Sequence, residues 1–363
     1  MIVYLLFILP KIRGDLLVLK HKIFLFSGLI GWMMCVVTPV SAQDPQFSQY
    51  YAAPLYLNPG LTGINQLGRA GVNYRNQWPS LPVGFETYSF FVDYNFEDYN
   101  SSVGLIVNTD QEGRVGLRST SVGLIYAYEA RLNDRWTFRP GIQASYYQRD
   151  LNFANLTFGD QFDNTGQIRN VTQEDIGGGL SARFMDFSAG GIIYNPDVWI
   201  GLSMHHISEP NQSIAGGEAP LSRKVSLHGG YRFNFSDFGP IRAKSDRERS
   251  FTPTFNYKAQ GDFDQLDLGV YFTLEPIIFG LWYRGIPIKT FRGIASNEAI
   301  VVMTGITAGK TTIGYSFDYT ISNLTIGTGG AHEISLTYQF SFADPRKPPR
   351  EIREIRCPVP FIF

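Results

Sequence analysis

The sequence predicts an all-β protein: a transmembrane antiparallel β-barrel of about fourteen strands, with an N-terminal periplasmic or plug segment in front of it. Three observations predict this. From about Gly68 the chain breaks into segments of about ten residues that alternate apolar with polar side chains, separated by clusters of Gly, Asn, Asp and Ser. The segments run about nine to twelve residues, as a tilted membrane crossing needs, and aromatic residues crowd their ends, at Tyr147, Trp199, Trp282, Tyr283, Tyr319 and Phe340. A secretory signal at the start supplies the compartment, which makes the outer membrane the expected location.

The elements follow in order. Lys20, His21 and Lys22 precede the apolar run from Ile23 to Val40, and Val40-Ser41-Ala42 ends it on small residues, so residues 1–42 read as a signal peptide cleaved before Gln43. The stretch from Met1 to Leu19, interrupted by Lys11 and Arg13, reads either as a long basic region or as the product of an upstream start codon. Cys35 sits between Met34 and Val36, without the small neighbours of a lipidated cysteine. Residues 43–67 carry Phe47, Tyr50, Tyr51 and Tyr56 among Pro45, Pro54 and Pro59 with no sustained alternation, so they form a docking segment, read as a periplasmic plug or cover. Its rings are expected to be docked within or beneath the barrel, since free in the periplasm they would expose a large apolar surface.

Residues 68–342 form the barrel. Tyr88, Phe90, Val92 and Tyr94 share one face against Thr87, Ser89, Phe91 and Asp93; His332, Ile334, Leu336, Tyr338 and Phe340 alternate with Glu333, Ser335, Thr337 and Gln339. Strands are expected to begin near Arg69, Glu86, Ser102, Ser119, Arg135, Arg183, Val198, Lys224, Thr252, Gln265, Ile277, Ala299, Thr311 and His332. An even number lets the sheet close antiparallel, which satisfies every backbone donor in lipid. Leu151–Ile176 and Pro210–Leu221 are polar connections long enough for outer loops. Residues 343–363 form a Pro-rich tail, with Pro345, Pro348, Pro349 and Cys357-Pro358-Val359-Pro360, that cannot be a barrel strand.

Composition narrows the function. Charged residues make up 17%, against about 25% in typical soluble domains. The 31 basic and 32 acidic residues balance to a net charge of -1, which gives no electrostatic reason to expect nucleic acid. Beyond the signal Cys357 is the one cysteine, so no intramolecular disulfide can form and a closed sheet must supply the stability. The thiol reads either as a candidate for an intermolecular bond or chemical modification, or as a buried or tolerated side chain.

No constellation for catalysis, cofactor or metal emerges. His205 and His206 are adjacent, which on a strand sends them to opposite faces. Asp110, Glu112 and Gly113 lack the spacing of a calcium loop and read as a hairpin turn. Gly177-Gly178-Gly179 precedes no helical pattern, and Asp262, Asp264 and Asp267 read as solvated or lumen-facing acids. The expected protein is not an enzyme.

The mature start, Gln43-Asp44-Pro45-Gln46-Phe47-Ser48-Gln49-Tyr50-Tyr51, followed by Pro54-Leu55-Tyr56-Leu57-Asn58-Pro59-Gly60, resembles the PorP/SprF family of outer-membrane proteins. Tyr74-Arg75-Asn76-Gln77-Trp78-Pro79, Phe158-Gly159-Asp160-Gln161, Gly201-Leu202-Ser203 with His206, Trp282-Tyr283-Arg284 and His332-Glu333-Ile334-Ser335-Leu336 carry the resemblance along the mature chain. The Cys357-Pro358 ending is similar too, but Val359–Phe363 extends it. The resemblance implies a non-enzymatic barrel of the type IX secretion and gliding machinery. It implies one of two jobs: supporting secretion or surface attachment of a large adhesin, or linking the periplasmic motor ring to the outer membrane with peptidoglycan-binding lipoproteins. Partner-contact candidates are Phe47, Tyr50, Tyr51, Tyr56, Arg75, Trp78 and Cys357. The alternative is an outer-membrane channel for small solutes, against which bulky lumen residues and a docked segment would argue.

Overall fold

The computed structural model describes residues 44–65, 68–81, 84–113, 116–151, 157–163, 165–169, 172, 181–235, 248–291, 294–322, 326–341 and 359. The expected signal peptide, the Gly177–Gly179 run and the expected tail apart from Val359 lie outside them. Fourteen long strands form one antiparallel sheet. They are β1 (Gly68–Gln77), β2 (Phe85–Phe96), β3 (Ser101–Glu112), β4 (Leu117–Tyr128), β5 (Thr137–Leu151), β6 (Ser181–Tyr194) and β7 (Val198–His205). Then follow β8 (Lys224–Tyr231), β9 (Arg249–Gln260), β10 (Phe263–Leu274), β11 (Ile277–Phe291), β12 (Ile294–Ala308), β13 (Thr311–Thr320) and β14 (Ala331–Phe340). Each expected strand start lies within a few residues of the observed one. The two-residue pieces Ala130–Arg131 and Phe233–Asn234 prolong the ladder locally.

Each strand pairs with its sequence neighbour, and β1 pairs with β14 from Gly68↔Phe340 to Gln77↔Ala331, which closes the ring. Closure leaves no unpaired strand edge, the condition for a sheet in hydrocarbon. The two rims differ. The terminal rim holds the start of β1, the end of β14, tight turns such as Glu275-Pro276 and the strand ends Tyr231 and Arg249 that the β8–β9 connection joins; the loop rim holds the strand ends that the β5–β6, β7–β8 and β13–β14 connections join. The expected outer loops thus share one rim.

The alternation points outside in. Tyr88, Phe90, Val103, Leu124, Leu281, Ile334, Leu336 and Tyr338 are exposed on the outer face, while Thr87, Ser89, Asp93, Ser121, Asp318, Glu333 and Ser335 are buried in the lumen. A soluble sandwich would bury the opposite set. An apolar belt this continuous is far beyond the patches that soluble monomers expose, and lipid is the solvent that suits it. Not every expected belt aromatic belongs to it. Trp199 and Trp282 are 1% and 3% exposed and turn into the lumen, because their strand parity matches the polar set rather than Ile200 or Leu281.

Candidate functional site

The lumen is filled by the chain's own residues 44–65. The segment starts at the loop rim, where Asp44 meets Lys224, His206 and Gln260, and descends to the terminal rim, where the Gly63 N–H donates to Asp93 at 2.7 Å just before β1 begins. Pro54–Leu57 makes one helical turn, α1, and Pro59–Leu61 a 3-10 turn. Both start on proline, whose missing N–H is no loss at a helix start. Asn58 joins them: its Oδ1 accepts from the Gly60 N–H at 2.9 Å, and its Nδ2 lies 3.1 Å from the Gly191 carbonyl and 3.2 Å from that of Leu202.

Wall side chains take up the backbone groups that an irregular buried segment would leave unpaired. Glu333 accepts from the N–H groups of Ser48 (2.7 Å) and Gln49 (3.0 Å). Asn73 donates to the Ala52 carbonyl, Ser203 to that of Leu57, and Arg139 to that of Thr62. Close approach requires glycine in the wall. A Cβ on Gly141 of β5 would sit 2.5 Å from the carbonyl carbon and oxygen of Pro59 and 2.6 Å from the Gly60 nitrogen. Tyr50 and Tyr51 pack on the inward tryptophans, whose indole N–H groups donate to them: Trp282 to Tyr50 at 3.2 Å, Trp199 to Tyr51 at 2.9 Å.

Charge is concentrated at Ser48. Its Oγ accepts from Arg75 and Arg284, each at 2.8 Å, and donates to Asp318 at 2.7 Å. Arg75 also pairs with Glu333 (3.3 Å) and Asp318 (2.8 Å), and Arg284 with Asp318 (2.8 Å) and Asp267 (2.9 Å). Lys258 reaches Asp267 at 3.4 Å. Three cations thus face three anions, so that no charge is buried alone. A second group sits at the loop rim. The ring nitrogens of His206 lie 2.8 Å from Asp44 and 2.8 Å from Asp186, and Lys224 is 2.7 Å from Asp44.

The His206 position departs from the expected alternation. His205 ends β7 facing inward, 3.2 Å from Ser188, and His206 adopts φ 57°, a left-handed step that turns it inward as well. Both rings are therefore buried on one side of the sheet, contrary to the strand-parity expectation. Burial works against the charged His206, yet Asp44 and Asp186 outweigh it and push its pKa up to about 9. Burial alone would raise Asp44, but Lys224 and His206 hold it well below the usual carboxylate range.

Of the residues singled out from the sequence, the structure brings Phe47, Tyr50, Tyr51 and Arg75 together inside the lumen, all buried, with Tyr56 half-buried beside Phe47 at a ring separation of 5.2 Å. Trp78 stands apart at the loop rim, edge-on to Phe85, so Tyr74–Pro79 ends at the rim opposite the start of β1 and the end of β14. Cys357 lies outside the described residues. Asp267 belongs to the lumen charge group, and Asp262 to the β9–β10 turn. The ion-pairing residues Arg69, Asp93, Arg139, Arg284, Asp318 and Glu333 were not singled out for this. The available signal was charge at inward parity, as in Asp318 between Phe317 and Tyr319.

A cavity of about 320 Å³ remains between residues 44–57 and the wall from β8 to β12. Asp44, Gln46, Phe47, Asn256, Lys258 and Glu298 line it.

A closed barrel with an apolar outer belt and a polar, packed lumen is an outer-membrane β-barrel protein. The profile of the type IX secretion system membrane protein PorP/SprF family matches residues 40–338, and the chain belongs to that family. No curated protein matches it. Among solved structures, the Pseudomonas putida toluene transporter TodX is similar at 8% identity and a TM-score of 0.44, over 79% of this chain and 93% of that one. The CymD monoaromatic hydrocarbon channel is similar at 13% identity and 0.42, over 83% and 95%. The Acinetobacter baumannii outer membrane protein Omp33 is similar at 9% identity and 0.38, over 77% and 100%.

Proposed function

We propose that the barrel acts through protein contacts, as a non-enzymatic component that supports secretion or surface attachment of a large client, rather than as a bore for solutes. One observation carries the reading: residues 44–65 occupy the lumen from rim to rim, and wall side chains are committed to holding them. A second feature favours the client role over a link to the periplasmic motor. The start of the segment and the remaining cavity lie at the rim with the two longest connections between strands, and the longer loops face outward in outer-membrane barrels.

The test is deletion of the coding region, followed by comparison of surface, released and retained proteins. The expected result is loss of one large surface protein with other export intact. General retention of secreted proteins would assign the motor link instead, and unchanged secretion with loss of uptake of a small solute would assign the channel.

A further inference from the structure

The segment is held in two different ways. From Ser48 onward its backbone is clamped by the wall, whereas Asp44 to Gln46 are held chiefly by side chains, their backbone meeting the wall at the Asp44 N–H, which donates to Gln260 at 3.0 Å, and the segment itself at the Pro45 carbonyl, which accepts from the Tyr56 hydroxyl. The Gln46 carboxamide sits in a socket of opposite charges: its Oε1 accepts from Lys258 at 3.2 Å and its Nε2 donates to Glu298 at 2.9 Å. Two residues earlier the Asp44 carboxylate sits between Lys224 and His206. In extended chain, positions i and i+2 share a face, so an acid and a carboxamide so spaced reach the two sites together. The cavity runs alongside, and Asn256, 1% exposed, lines it with neither carboxamide atom paired.

We propose that this outer-mouth groove is a peptide-binding site that the chain's own Asp44–Gln46 occupies, and that it accepts an extended segment of another polypeptide bearing an acidic residue followed two positions later by Gln or Asn. The incoming acid takes Lys224 and His206, the carboxamide takes Lys258 and Glu298, and the adjoining backbone meets Asn256, whose carboxamide matches the donor and acceptor of a peptide group. The clamped residues 48–65 stay in place, so the lumen stays filled during the exchange. The inference rests on the client reading above and names what part of a client is recognised.

The test uses the full-length protein in detergent and a labelled peptide with the sequence of residues 43–51, read by fluorescence anisotropy. Wild type carries its own competitor at millimolar effective concentration, so Gln46→Ala in the protein should tighten peptide binding about tenfold or more. Asp44→Asn, which also loosens only the resident strand, should act in the same direction and covers the case in which Gln46→Ala does not fold. Adding Lys258→Met to either should abolish the gain, and so should replacing both the acid and the second Gln in the peptide by Ala. Equal binding by wild type and both plug variants, or binding indifferent to Lys258→Met, overturns the proposal. Neither result bears on the deletion phenotype, so this site and the client role fail separately.

Discussion

Gly141→Val is the sharpest test of the filled lumen, because it alters the seat of the segment while favouring the strand that carries it. Valine suits β-structure better than glycine, so the wall gains in local preference. The new Cβ, however, would stand 2.5 Å from the Pro59 carbonyl, where carbon atoms normally stay about 3.5 to 4.0 Å apart. Backbone on backbone leaves no flexible side chain to yield, so the segment must shift by about 1 Å or more. That shift breaks the Asn58 bonds to Gly191 and Leu202 and the 2.7 Å bond from Arg139 to Thr62. At about 1 kcal/mol for each neutral bond and about 2 for the charged one, the loss is roughly 4 kcal/mol, with overpacking adding about 1 to 3. Chymotrypsin should then cut Gly141→Val within residues 47–57 while the barrel keeps its heat-modifiable gel shift and strand-dominated circular dichroism. Wild type and a loop control, Gly159→Val, which meets nothing within 4 Å, should resist. A Gly141→Val protein as resistant as wild type would refute the close seat of Pro59 against β5.

Replacing Phe47, Tyr50 and Tyr51 together by Ala should also free the segment to protease, since each buried ring is worth roughly 1.5 to 3 kcal/mol; equal cleavage of mutant and wild type would count against their role as anchors. The His206 pair makes the outer end of the segment alkali-sensitive. Its pKa is raised from 6.5 to about 9, so its contribution, about 3 kcal/mol, is fully present below pH about 6.5 and is lost as pH rises through about 9. A cysteine placed at Gln46 in a Cys357→Ser background should react with maleimide faster at pH 10 than at pH 8 by more than a free cysteine's rising thiolate fraction accounts for, and His206→Gln should remove that excess. Arg284→Met strands Asp267 and Asp318 beside fewer cations and should lower stability by about 3 to 5 kcal/mol in urea unfolding, with Asp318→Asn in the same chain recovering part of it.

The barrel was legible in the sequence because a period of two over long strands depends on neighbouring residues alone, as the segments from Val122 to Tyr128 and from Ile334 to Tyr338 illustrate. Which face meets lipid needed more than the period, and strand length, strand-end aromatics and the expected signal peptide together favoured the barrel over a sandwich. The segment's aromatic content announced docking, but its path was hidden. That path depends on contacts more than a hundred residues apart, such as Asn58 with Gly191 and Ser48 with Glu333. Trp199 and Trp282 are expected in the aromatic belt as strand-end residues, against their strand parity, and their burial beside the inward polar set corrects that. His206 escaped because a single left-handed residue at a strand end undoes the alternation on which the reading relied.

The polarity of the lumen and the presence of the segment are two sides of one requirement. Glu333 is fully buried, and two of the donors that reach its carboxylate are backbone N–H groups of Ser48 and Gln49; the third is Arg75, which it shares with Asp318. Without the segment, that carboxylate would have to find water or a new partner in a wall whose cations are already engaged. The segment in turn has irregular backbone over much of its length, which only a polar enclosure can satisfy. Each therefore stabilises the other, and removing either exposes groups the other had paired. A bore built on such mutual commitment cannot open for a solute without breaking several buried charge-assisted bonds at once. At the loop rim the hold changes in kind: residues 44–46 are fixed chiefly by ion pairs and side-chain bonds, with an open cavity beside them, so what holds them there is set by a few charges rather than by the wall's backbone clamp.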